Sequence, residues 1–130
     1  MTFALWCLVI AGLLHIGSKA PLVVAQARSG RGYDNREPRA QQNSLSGWGG
    51  RALAAHINQI ESFPLFASGI LVTLALGLTD VRIDYLAAAY IGSRIIYLFL
   101  YVKNIATLRS LVWGVGFISS IALMCAPAWL

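Results

Sequence analysis

One apolar stretch of the chain contains three side chains that could bind a charged ligand. Arg51, Asn58 and Glu61 are separated by seven and three residues, and this spacing places them on one face of an α-helix. A guanidinium binds a carboxylate through two parallel hydrogen bonds, and a carboxylate binds an ammonium group. A charged side chain inside a membrane helix costs about 2.5–3.5 kcal/mol on insertion scales, so it usually marks a functional site. We therefore expect this face to bind a polar ligand, whereas His56 points away from it.

A second set of polar side chains follows the same helical spacing further along the chain. Tyr90, Arg94, Tyr97 and Tyr101 occupy positions i, i+4, i+7 and i+11, which form one stripe on a helix. An arginine flanked by tyrosines is not a lipid-facing pattern. Apart from Asp84 at the very start of the third predicted span, Glu61 is the only acidic residue inside the predicted apolar spans. We therefore predict that it pairs with Arg94 or shares its hydrogen-bond network. The alternative is a purely structural arginine–glutamate pair with tyrosines as packing.

The elements that carry these residues are predicted to be membrane helices. Hydrophobic residues make up 58% of the 130 positions and charged residues 12%, about half the charged fraction of a soluble domain. No strand-type alternation is present, which disfavours a β-barrel. We predict an all-α integral membrane protein, one domain folded as a four-helix bundle. Its spans cover residues 3–28, 48–78, 83–102 and 107–126, and residues 29–50 form a long loop without helical periodicity. Pro21 and Pro64 are expected to kink their helices.

The charge of the chain predicts its orientation. The net charge is +5, and five arginines lie in or beside the first loop, while Lys103 and Arg109 flank the third connection. By the positive-inside rule, the first and third connections face the cytoplasm and both termini face outward. The basic excess is thus a topology signal, and no nucleic-acid partner is expected. The loop arginines could equally serve only to orient the protein and to contact anionic lipid.

The remaining histidine and the two cysteines predict structure rather than chemistry. His15 is expected to be an interhelical histidine whose hydrogen bonds are satisfied, and the absence of a neighbouring second ligand predicts no metal site. Cys7 and Cys125 are too few for a disulfide framework. A bridge between them is geometrically possible near the predicted outer face, although two packing cysteines are favoured.

The ordered set of polar motifs resembles the MAPEG family, the membrane-associated proteins in eicosanoid and glutathione metabolism. The resemblance covers nearly the whole chain. The loop is similar to that of bacterial members. The residues that carry it are Arg51, Asn58-x-x-Glu61-x-Phe63-Pro64-Leu65-Phe66, Arg94-x-x-Tyr97-x-x-x-Tyr101, Arg109 and the loop sequence Arg31-Gly-Tyr-Asp-Asn-Arg-Glu-Pro-Arg39.

The resemblance implies a homotrimer with sites between neighbouring subunits near the cytoplasmic side of a bacterial inner membrane. It implies glutathione as co-substrate and a lipophilic small molecule or lipid as the second partner. Arg109 matches the arginine that stabilises the glutathione thiolate, and Arg28 is a weaker match that leaves the identity of the activating arginine open. The glutathione-binding residues carried over by motif are Arg28, Arg51, Asn58, Glu61, Arg94, Tyr97 and Tyr101.

Two departures from the family pattern bear on this reading. Ser62 stands where well-characterised eicosanoid members often carry tyrosine, and the spacing from Tyr101 to Arg109 differs by about one residue from several members. The family also includes non-catalytic members with the same fold. The favoured hypothesis is a glutathione-dependent transferase or peroxidase, and the alternative is a non-catalytic protein that binds a lipid or a partner protein. A small transporter is disfavoured because the chain lacks broken helices and internal repeats.

Overall fold

The computed structural model describes residues 1–130, and all of its regular structure is α-helical. The helices are α1 (Phe3–Gly17), α2 (Lys19–Arg28), α3 (Pro38–Ser44), α4 (Gly47–Ala75), α5 (Val81–Val102), α6 (Ala106–Met124) and α7 (Ala126–Trp129). Four segments are long and apolar enough to cross a membrane: Phe3–Arg28, Gly47–Ala75, Val81–Val102 and Ala106–Met124. The prediction of an all-α integral membrane protein with four spans is confirmed.

The first span is interrupted at Ser18, three residues before the proline that was expected to kink it. Pro21 has no N–H, so the carbonyl of Gly17, four residues earlier, loses its helical hydrogen bond. Ser18 nevertheless keeps helical dihedral angles (φ −63°, ψ −17°), and its N–H donates to the Leu14 carbonyl at 2.8 Å. Therefore α1 and α2 form one span. In contrast, α4 runs without interruption through Pro64.

The loop predicted at residues 29–50 contains a helix that its sequence periodicity did not indicate. The seven-residue α3 occupies Pro38–Ser44, and α4 begins at Gly47. Gln41 holds this segment in place: its Oε1 accepts from Gln26 Nε2 at 3.1 Å, and its Nε2 donates to the Gly32 carbonyl at 2.7 Å. The order of the loop thus comes from contacts to α2 and not from an apolar face of its own.

Two glycines allow α6 to pack closely against its neighbours. A Cβ atom on Gly69 of α4 would lie 2.7 Å from Leu123 Cβ, and one on Gly116 of α6 would lie 2.6 Å from Ser93 Oγ of α5. Small residues at such crossings are the usual means of close helix packing in membranes. Beside these crossings, the buried rings of Phe66 and Tyr90 stack in the core at 3.8 Å. Both cysteines are free; Cys7 is buried and Cys125 is exposed.

Candidate ligand-binding site

Two adjoining cavities lie among α4, α5 and α6, and we call them together the groove. The first cavity, of about 180 Å³, is lined by Asn58, Glu61, Ser62, Leu65, Trp113, Phe117 and Ser120. The second, of about 240 Å³, is lined by Asn58, Tyr97, Tyr101, Arg109, Ser110 and Trp113. Asn58 and Trp113 belong to both linings, so a single extended ligand could contact both cavities. The combined space is in the usual range of small-molecule sites, about 300–1,000 Å³.

The groove brings together five of the eight site residues expected from the sequence. These are Asn58, Glu61, Tyr97, Tyr101 and Arg109. The Arg109 guanidinium lies over the Tyr101 ring at 4.2 Å, and the rings of Tyr97 and Tyr101 meet edge to face at 5.5 Å. A guanidinium over an aromatic face is held by a cation–π interaction. The second cavity therefore presents a positive charge beside two phenol groups.

Arg94 lies behind the groove and does not line it. Its side chain is 3% exposed, its Nε donates to Gln59 Oε1 at 2.8 Å, and its Nη2 donates to Asn58 Oδ1 at 2.9 Å. The Tyr97 ring covers the guanidinium at 4.2 Å. Two amide oxygens and one aromatic face thus take the place of a carboxylate.

The expected pairing of Arg94 with Glu61 is wrong. Glu61 is exposed, lines the first cavity and forms no hydrogen bond, and the single ion pair of the chain joins Arg82 to Asp80. The amide oxygens of Asn58 and Gln59, and not the Glu61 carboxylate, accept hydrogen bonds from Arg94. The carboxylate of Glu61 is consequently available to a ligand.

The two other arginines expected at the site lie elsewhere within the protomer. Arg51 Nε donates to the carbonyl of Val102 at 3.2 Å, so this arginine satisfies an end carbonyl of α5. Arg28 lines a separate cavity of about 290 Å³ between the end of α2 and the start of α4. Neither side chain lines the groove of its own protomer.

His56 lies on the opposite face of α4, as its helical spacing predicted, and the ring of His15 in α1 lies 6.4 Å from the His56 ring. The Ser18 hydroxyl donates to the His15 carbonyl at 3.0 Å, so His56 Nδ1 donates to Ser18 Oγ at 2.8 Å. The His15 ring packs at 5.8 Å from the ring of Phe63, but its buried Nδ1 has no hydrogen-bond partner. His15 is therefore interhelical as expected, although its hydrogen bonds are not all satisfied. No group of three or more metal-ligating side chains is present.

Sequence reasoning missed Trp113, Phe117 and Gln59. Trp113 and Phe117 stack on each other at 5.2 Å and form the apolar wall of the groove. They follow Arg109 at intervals of four residues, a spacing that places all three on one helical face and could have identified them. Gln59 carries no such signal. It follows Asn58 directly in the helix, so its position is about 100° away from the predicted polar face. Ser62, whose hydroxyl shares a 3.1 Å hydrogen bond with the Tyr90 hydroxyl, lines the first cavity.

Comparison with known proteins gives one result for this chain. A model of the MAPEG family matches residues 3–129, which include every residue of the groove. No curated protein and no solved structure gave a significant match.

Proposed function

The chain belongs to the MAPEG family, whose members are glutathione-dependent transferases and peroxidases or related membrane proteins, and we propose that it is a glutathione-dependent transferase or peroxidase for lipophilic electrophiles. The observation that carries this proposal is the position of Arg109 over Tyr101 in a cavity that Asn58 joins to Glu61. That arrangement offers a cation, an amide and a free carboxylate along one groove.

These groups match the functional groups of glutathione. The tripeptide carries two carboxylates, an ammonium group and a thiol. The exposed carboxylate of Glu61 suits the ammonium group, and the amide of Asn58 suits a carboxylate or peptide carbonyl. The stacked rings of Trp113 and Phe117 offer an apolar surface to a lipophilic acceptor.

Arg109 is proposed to activate the thiol. A nearby guanidinium lowers the pKa of a thiol from about 8.5, which raises the fraction present as the nucleophilic thiolate. In conjugation, the thiolate sulfur forms a bond to the electrophilic carbon, and the leaving group departs with the electron pair of the broken bond. In the peroxidase reaction, two thiols reduce a hydroperoxide to an alcohol and water and are joined as a disulfide.

We further propose that the groove lies at a subunit boundary of a homotrimer. Trp113 and Phe117 are 41% and 45% exposed in the protomer, so a neighbouring subunit or lipid must cover them in the membrane. Arg28 lies outside its own groove and could complete only the groove of a neighbour. The proposed orientation keeps the first and third connections on the cytoplasmic side of a bacterial inner membrane, with both termini outside.

The test is turnover by the protein purified in detergent. Wild type should conjugate glutathione to 1-chloro-2,4-dinitrobenzene or reduce cumene hydroperoxide, and Arg109→Ala should lower kcat by about 100-fold, as loss of a transition-state donor usually does. Arg36→Ala, which removes an exposed loop arginine, is the matched control and should leave the rate unchanged. Saturable glutathione binding without turnover on a broad panel of electrophiles would refute the enzymatic proposal.

One observation favours the non-catalytic alternative. The groove of one protomer contains a single arginine, Arg109, because Arg28 and Arg51 lie elsewhere, whereas glutathione has two carboxylates. A protein that binds a lipid or a partner protein would gain no stability from glutathione. A glutathione binder gains about 2.7 kcal/mol at a ligand concentration 100 times Kd, so thermal unfolding across millimolar glutathione separates the two functions.

A further inference from the structure

The contacts of Arg94 fix which way two neighbouring amides face. A guanidinium has only donors, so the atoms that face its Nε and Nη2 must be the oxygens of Gln59 and Asn58. Without such a partner, an amide can rotate and exchange its oxygen for its nitrogen. In this protein the two hydrogen bonds leave each amide one orientation.

That orientation determines what Asn58 offers to a ligand. Its oxygen is occupied by Arg94 at 2.9 Å, while its side chain lines both cavities of the groove. The amide nitrogen, with two N–H donors, is the part left to face the groove. The groove is thereby set to receive an acceptor such as a carboxylate or peptide carbonyl.

Gln59 holds Arg94 in the position that produces this effect. It is 3% exposed and lies outside both cavity linings. Its oxygen accepts from Arg94 Nε at 2.8 Å, while its buried nitrogen lies towards the Tyr90 hydroxyl without a well-formed hydrogen bond. The well-formed hydrogen bond of this buried amide is therefore the one that its oxygen accepts from Arg94. The useful part of the side chain is its oxygen.

We propose that Gln59 is a positioning residue for ligand binding, acting through Arg94 to keep the Asn58 amide nitrogen directed into the groove. The inference rests on the proposed function in that glutathione is the ligand used to test it. Gln59 itself touches no ligand, and its influence passes through two hydrogen bonds.

The test is isothermal titration calorimetry of glutathione with the full chain in detergent. Gln59→Met keeps the size of the side chain but removes the oxygen, and it should raise Kd by about tenfold, the value of one hydrogen bond. Gln59→Glu keeps an oxygen for Arg94 and should bind within about threefold of wild type, since each tenfold change corresponds to a whole hydrogen bond. Gln26→Met is the matched control, because Gln26 is equally buried but bonds to the loop; it should lower thermal stability and leave Kd unchanged.

A double substitution separates positioning from general destabilisation. If Gln59 acts through Asn58, Gln59→Met should weaken binding no further once Asn58→Ala is present, since coupled residues are not additive. Equal Kd for Gln59→Met and wild type, or multiplicative effects of the two substitutions, would overturn the proposal. Absence of glutathione binding by wild type itself would instead refute the proposed function, and the two failures are therefore distinct.

Discussion

Gly69→Ala should destabilise the protein because no space exists for the added methyl group. The new Cβ would lie 2.7 Å from Leu123 Cβ, 3.1 Å from the Ser120 carbonyl oxygen and 3.2 Å from the Met124 nitrogen. Carbon atoms pack best at about 3.5–4.0 Å, so α4 and α6 must separate by close to 1 Å. The contacted atoms are backbone or Cβ atoms, which cannot rotate away, and this places the cost at the upper end of the usual 1–3 kcal/mol for overpacking.

The net effect follows by subtracting the helix-forming advantage of alanine. Alanine is more favourable than glycine in a helix interior by about 1 kcal/mol. The expected net loss for Gly69→Ala is therefore about 2 kcal/mol, which corresponds to a fall in Tm of about 5–10 °C. Because Ser120 lines the first cavity, the same displacement should also widen the groove and weaken ligand binding.

Thermal unfolding in detergent, followed by circular dichroism, measures this effect. Gly92→Ala is the matched control, since a Cβ at Gly92 meets nothing within 4 Å; its Tm should stay the same or rise. If Gly69→Ala unfolded at the wild-type temperature or above, the close crossing of α4 and α6 would not exist as described.

Three further substitutions test other parts of the structure. Arg94→Lys keeps the charge but cannot reach both amide oxygens at once, so it should lower the free energy of unfolding by about 1.5–3 kcal/mol, measured by thermal unfolding; an unchanged Tm would contradict the two hydrogen bonds. Asp80→Asn tests the ion pair with Arg82, which lowers the pKa of Asp80 from 3.8 to about 2. The stabilising effect of this pair is complete above pH 3.8 and is lost as the pH falls towards 2. The difference in Tm between Asp80→Asn and wild type should therefore vanish near pH 2. Gln41→Leu removes the contacts that order residues 29–37, and trypsin should cleave this segment about tenfold faster, as expected when about 1.4 kcal/mol of local stability is lost; an unchanged rate would mean that other contacts order the loop.

The membrane spans and the polar stripe were predictable because they follow directly from helical periodicity. The apolar length of each span and the spacing of Tyr90, Arg94 and Tyr97 predicted which side chains avoid lipid, and all three are buried. The same geometry predicted that His56 points away from the polar face. Helical periodicity determines the face on which a residue lies, and the polar stripe and the direction of His56 depend only on that.

The partner of Arg94 could not be predicted in this way. Asn58, Gln59 and Glu61 lie within one turn of α4, so the sequence alone leaves each within reach of a long arginine side chain. The choice depends on how α5 is held, and the contact of Gly116 with Ser93, next to Arg94, is part of that packing. Such interhelical distances arise from the whole bundle and have no local signature.

The loop helix was missed for a different reason. The seven residues of α3 are too few to show a reliable periodicity, and isolated helices of this length are unstable. The helix is stabilised by the buried Gln26 of α2, which lies twelve or more residues earlier in the chain. Gln26 donates to the Pro38 carbonyl and to the side-chain oxygen of Gln41. A polar residue that acts as a tether looks the same in a sequence as one that faces solvent.

The hydrogen bonds that order the loop between α2 and α4 join neutral side-chain amides, and this has an electrostatic consequence. Gln26, Gln41 and Gln42 join the loop to α2 through neutral groups, and no ion pair is formed within it. Counterions screen charges over about 8 Å at physiological ionic strength but leave neutral hydrogen bonds almost unaffected. The shape of the loop should therefore stay constant as the salt concentration rises. Any attraction of its exposed arginines for anionic headgroups would weaken at the same time, so salt should lower the affinity of the loop for anionic lipid without unfolding the loop.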